Sequence, residues 1–176
     1  ALSVLAELGA DFGVWPHPQM LIYGEGWGGM EYAGATQTSL SALGHEMHHS
    51  YFARSRHPAL GNAGWIDEAL ASWRDNNYNT RQSPGRVTRM AGHSVYRRST
   101  DRNAYGAGAS LMAYLDQHFA DRGGLKPFLK EWYLSSPRGA FSTELFRDQM
   151  GEFFGESLNE FFDKYIFGKN QTVDPK

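Results

Sequence analysis

The sequence has no cysteine. Disulfides, thiolate metal ligands and a cysteine nucleophile are therefore excluded. No apolar stretch reaches the roughly 18–20 residues of a helical membrane span, so none is expected. Neither sign of charge is in excess. There are 17 Lys and Arg against 19 Asp and Glu, a formal net charge of −2, and no long basic run. That balance argues against a nucleic-acid partner. Residues 1–10 carry Glu7 and lack a charged start, so no signal peptide is read there. The chain does not begin with Met, so that reading says little about where it acts. The compartment stays open, and the expectation carried forward is extracytoplasmic, secreted or periplasmic. Internal repeats and low-complexity tracts are also missing.

What is present is an ordinary core composition over 176 residues, enough for one domain with two lobes around a cleft. Aromatic residues make up 14%, so large side chains should carry much of the packing or line that cleft. Leu2, Leu5, Ala6 and Leu8 sit at helical spacing in residues 1–12. Met20 to Tyr23 predicts a buried strand, and Met30 to Thr38 a second one, with Thr38 or Ser39 capping the next helix. Glycines 24, 26, 28 and 29 make a flexible turn around Trp27 between them. Helices are predicted at about 40–53, 65–77, 105–121, 125–134, 142–150 and 157–166. An irregular polar segment spans 78–103. The small strand-bearing lobe is placed at about 1–38 and the helical lobe at 39–176.

Residues 44–50 read GHEMHHS. His45 and His49 are four apart, so on a helix both imidazoles lie on one face and can reach one zinc ion. Glu46 points beside the metal, where a bound water would lose its proton to it. A catalytic zinc takes three protein ligands and keeps one position open. Glu68, in residues 64–72 (GWIDEALAS), follows His49 after 18 intervening residues. One helix can end, a loop can turn back, and a second helix can present Glu68 to the same ion. Asp67 is the local competitor.

With these residues in place, the sequence resembles the gluzincin metallopeptidases, most closely the aminopeptidase N family and the related glycyl aminopeptidases. There HExxH is followed after 18 residues by the ligand Glu in a WLNEG-like segment; here Trp65-Ile66-Asp67-Glu68-Ala69 stands. The thermolysin family's spacing is one residue longer and fits less well. The family's GxMEN strand is matched at four of five positions by Gly28-Gly29-Met30-Glu31, with Tyr32 in place of Asn. The resemblance implies that this strand, through Gly29 and Met30, bonds substrate backbone, and that Glu31 pairs with a free α-amino group. Tyr105-Gly106-Ala107-Gly108 resembles the family's Y-x-x-G and implies an oxyanion-stabilising Tyr105; Tyr96 competes with it. Leu158 to Lys169 resembles the end of the family's catalytic domain.

The implied fold is α+β and mostly helical, a thermolysin-like catalytic domain with a small β-lobe. The family's flanking β-domain and C-terminal helical domain are expected to be absent, as parts of a longer parent chain. The implied activity is zinc-dependent removal of N-terminal residues from peptide substrates, with one Zn2+. An endopeptidase on the same scaffold and a non-catalytic zinc-binding module are the alternatives, and the intact Glu46 argues against the second. His48 is assigned to packing or to supporting the metal residues, and His93 to the surface. Arg97, Arg98 and Arg102 are charges in a polar loop, able to meet a substrate carboxylate but ordinarily solvated. Trp27 and Tyr32 either wall the cleft or pack, and Phe153, Phe154, Phe161 and Phe162 form core or interface.

Overall fold

A computed structural model describes residues 1–94, 96–97 and 99–169. Arg98 lies outside them. Helix α1 spans Leu2–Phe12. Its inward stripe is Leu8 and Phe12, both fully buried, with Val4 and Leu5 packed at the margin. Leu2 is 83% exposed, so the inward face is rotated from the one predicted. Phe12 meets Phe52 edge-on, which ties α1 to the helix that carries HExxH.

Strands β1 (Leu21–Gly24), β2 (Gly29–Tyr32) and β3 (Ala35–Thr38) form a sheet in the order β1-β3-β2. β1 runs parallel to β3 and β2 antiparallel to it. The single strand predicted over Met30–Thr38 is therefore a hairpin. Gly34, at φ 73, makes the turn, and a side chain there would press on the Gln19 carbonyl. The predicted burial of β1 is also corrected: all four of its residues are exposed. Thr36 and Thr38 of β3 are buried on the face that meets the next helix. Leu21, Tyr23, Met30 and Tyr32 are exposed, and by the register they share the opposite face. β2, which carries the GGME residues, is an edge strand.

Helix α2 spans Leu43–Phe52, three residues shorter at its start than predicted. Ser39 is the reason. Its hydroxyl accepts from the Ala42 N–H at 3.3 Å and holds a separate turn, leaving Leu40 94% exposed. Every residue of α2 except His45 is buried. After α2 come a two-residue strand β4 (His57–Pro58) and a 3-10 turn at Gly61–Ala63. Helix α3 spans Gly64–Asp75, and the left-handed Asn77 and Tyr78 stop the chain from continuing it.

Helix α4 (Asn103–His118) packs along α3. The two come close because Gly108 has no Cβ; one there would sit 2.7 Å from Ala69 Cβ. α5 (Leu125–Ser135), β5 (Ala140–Phe141), α6 (Thr143–Phe154) and α7 (Asn159–Tyr165) complete the described chain. The Ser142 hydroxyl caps α6 by accepting from the Leu145 N–H at 3.1 Å. β5 pairs in parallel with β4. These helices enclose an aromatic core of Trp65, Phe128, Trp132, Phe146 and Phe162. Phe154 and Phe162 are buried in it, as expected, with Phe161 packed against it, whereas Phe153 is exposed. No helix among the described residues is long and apolar enough to cross a membrane.

Candidate metal centre

α2 and α3 pack side by side and bring His45, His49 and Glu68 together. Glu68 Oε2 lies 3.3 Å from His45 Nε2 and 3.7 Å from His49 Nε2. The imidazole rings are edge to face, 4.8 Å apart. Their outer nitrogens are held as well: His45 Nδ1 bonds Asp75 Oδ2 at 2.7 Å, and His49 Nδ1 bonds Asp67 Oδ2 at 2.5 Å. A carboxylate on Nδ1 holds a proton there, so the proton each imidazolium gives up is the one on Nε2, and the lone pair this frees faces the shared point. Geometry thus separates the two neighbouring acids. Glu68 stands between the Nε2 atoms, and Asp67 stands behind His49.

The charge balance of the site calls for a cation. Burial opposes a charged His45, yet the carboxylates of Asp75 and Glu68 outweigh it and lift its pKa to about 10. Burial opposes His49 in the same way, and Asp67, with Glu68, lifts it to about 9. Burial alone would raise Glu68, but the bond from His45, the charge of His49 and the Tyr105 hydroxyl bring its pKa down. Two neutral imidazoles and a carboxylate are the donor set a divalent zinc takes. The residues present fit that ion.

Glu46 follows His45 on α2 and is 7% exposed. Burial raises its pKa; His49 and His45 oppose the rise, and Glu31 and Glu68 add to it. Gly29 of β2 lies against this carboxylate, and any side chain at position 29 would occupy the place of Glu46 Oε1. Glu31, two residues on, faces the same side of the strand, and its carboxylate, that of Glu46 and a ring nitrogen of His49 lie within 4.8 Å of one another. Met30 alternates to the opposite face, and its carbonyl accepts from the Thr36 hydroxyl at 3.0 Å. Tyr105, in the first turn of α4, donates its hydroxyl to Glu68 Oε1 at 2.9 Å and stacks its ring on His45. Tyr96, the competitor, is 88% exposed.

The remaining candidates fall into place around this cluster. His48 is fully buried against Phe12 and Phe52, and burial keeps it neutral. His93 Nε2 sits 3.4 Å from Asp101, and Arg97 is 3.1 Å from the same carboxylate. Trp27 is 87% exposed. Asp75 is a residue the sequence reading missed. It stands seven after Glu68, two turns along the same face of α3, and that spacing is the signal that marks it. Arg54 was also missed. Its guanidinium bonds Glu31 Oε1 at 2.6 Å. A cleft of about 720 Å3 joins Glu68 and Glu31 to Arg54 and His57.

This fold is the one seen in zinc metallopeptidases of the M1, aminopeptidase-like gluzincin group, as the motifs implied. No family model matches the chain, and no curated protein does. Native yeast LTA4 hydrolase superposes with a TM-score of 0.70 at 15% identity, over 99% of this chain and 35% of that one. The M1 zinc metallopeptidase from Deinococcus radiodurans gives 0.68 at 16% identity, over 99% of this chain and 45% of that one. A variant of the latter bound to a Tyr-Ser-Ala substrate gives 0.67 at 15% identity, over 98% and 44%. The chain thus spans less than half the length of each of these proteins.

Proposed function

We propose that this chain binds one zinc ion through His45, His49 and Glu68 and hydrolyses peptide bonds, releasing N-terminal residues. The observation that carries the reading is the meeting of both Nε2 atoms on Glu68 with both Nδ1 atoms backed by carboxylates. A purely structural zinc usually closes its fourth position with another ligand, whereas here a buried, unligated Glu46 stands beside the site. Zinc, when bound, supplies Lewis acidity and lowers the pKa of a water. Glu46 takes the proton of the attacking water and returns it to the leaving amine. Tyr105 turns its hydroxyl from Glu68 to the oxyanion that develops at the carbonyl.

Glu31 restricts the substrate. Its carboxylate is close to Glu46 and His49, which supports an ammonium bound there belonging to the residue whose own carbonyl is attacked. That is the N-terminal residue. The solved neighbour with a Tyr-Ser-Ala substrate supports peptides as the substrate class. The ion pair of Arg54 with Glu31 favours a second reading, an endopeptidase whose Glu31 is already occupied. The test compares matched peptides with free and acetylated N-termini on the zinc-loaded chain. Cleavage of only the free peptide supports the aminopeptidase, and equal cleavage sinks it in favour of the second reading. Peptidase activity that survives Glu46→Gln undiminished removes the mechanism altogether.

A further inference from the structure

The hydrolysis proposed above makes no use of Arg54. This residue follows α2 by two positions, and its Nη2 donates to Glu31 Oε1. Among the described residues Glu31 is the one hydrogen-bond partner of its guanidinium. Its side chain is 39% exposed and lines the cleft, so its other N–H groups are available there. Ala33, Ala53, Ala59 and Gly61 line the same cleft together with Pro58 and Leu60, and the small residues among them leave space for a substrate side chain. Arg54 and His57 are the basic groups of that lining; of its three carboxylates, Glu31 pairs with Arg54, Asp67 with His49, and Glu68 sits on His45 and His49. Glu68, of the candidate metal residues, lines the same cleft as the small residues.

An N-terminal residue brings two groups on one α-carbon: the ammonium and the side chain. With the ammonium on Glu31, the side chain begins next to the guanidinium that Glu31 already holds. A carboxylate on that side chain alternates with the other charges, ammonium to Glu31, Glu31 to Arg54, Arg54 to side chain. Arg54 then gains charge-assisted hydrogen bonds and keeps its pairing. A neutral side chain gains none of these, and a lysine sets like charges together. We infer that Arg54 is a specificity-determining residue that selects peptides beginning with Asp or Glu. This rests on Glu31 holding the α-amine, as proposed above. The other source of a carboxylate is the C-terminus of a short peptide, and the test separates the two.

Binding is measured by calorimetric or NMR titration on the zinc-loaded full chain carrying Glu46→Gln, which blocks turnover. The ligands are the α-amides of L-glutamate, L-glutamine and L-leucine, the N-acetylated α-amide of L-glutamate, and leucylglycine. The glutamate amide should bind about tenfold tighter than the other two amides. Adding Arg54→Gln should erase that advantage and leave the glutamine amide within about twofold, while Arg54→Lys should restore part of it. Equal binding of the glutamate and glutamine amides overturns the inference, as does an Arg54→Gln loss that is the same for both. Leucylglycine binding that depends on Arg54, without a preference for the glutamate amide, assigns the carboxylate to a C-terminus and also overturns it. Equal binding of the free and acetylated glutamate amides is a different result. It removes Glu31 from the amine, so the N-terminal reading fails while the Arg54 carboxylate pocket stands.

Discussion

Asp67 and Asp75 do at the residue scale what the proposed zinc ligands cannot do for themselves. An imidazole with a free Nδ1 chooses between tautomers and rotates; one whose Nδ1–H is given to a carboxylate does neither. Asp67→Asn and Asp75→Asn should each weaken zinc binding by roughly 10–100-fold, read by competition with a chromogenic chelator, while the fold persists by circular dichroism. Charge neighbours also set the base. Glu31 is one of the carboxylates that raise the pKa of Glu46. The base form of Glu46 is lost as pH falls through its pKa, which the charge of Glu31 moves upward. Glu31→Gln should therefore move the acid limb of the kcat/KM profile to lower pH, apart from any rise in KM caused by the lost amine contact.

Two elements meet at positions where only glycine fits, and each position does a different job. On β2, Gly29 lets the strand edge lie against the Glu46 carboxylate. Gly29→Ala should push that carboxylate aside and cut kcat by roughly 100-fold, because proton transfer needs hydrogen-bond geometry, with little change in melting temperature. On α4, Gly108 lets the helix settle on Ala69 of α3. Gly108→Val should behave in the opposite way, costing roughly 1–3 kcal/mol of stability in a denaturant titration through overpacking. Because α3 carries Glu68 and α4 carries Tyr105, the same variant should also loosen the Tyr105–Glu68 bond.

The whole molecule concentrates carboxylates where two histidines converge, and its stability should follow the ion that balances them. Without metal, His45 and His49 titrate near 10 and near 9, both above an unfolded value near 6.5. A group with a raised folded pKa contributes stability below its unfolded pKa and loses it as pH climbs through the folded one. The chelator-treated chain should thus melt at lower temperature on going from pH 7 to pH 10. Zinc binding needs the unprotonated imidazoles, so the zinc-loaded chain should gain stability as pH rises from about 5 to 7. Differential scanning calorimetry of both forms from about pH 5 to pH 10 checks the two opposite slopes.

Much of the site was legible before folding because it obeys short-range rules. The i, i+4 pair of His45 and His49, the spaced Glu68 and the G-G-M-E run each need only chain geometry and ligand chemistry to be noticed. Helix positions were legible for the same reason, since their apolar spacing repeats with the turn. The hairpin at Gly34, the exposed face of β1 and the late start of α2 were not. They depend on which surface has a neighbour to pack against, and residue order does not state that. Asp75 and Arg54 belong to this second group. An acid on one helix and an arginine just beyond another read as solvated surface charge until α3 lies beside α2 and β2 crosses above it. Residue order by itself determined which side chains can form a metal site here. The tertiary structure alone decided that both histidines are braced, and that Glu31 meets a cation inside the cleft, because charge pairing acts through space across segments the chain keeps apart.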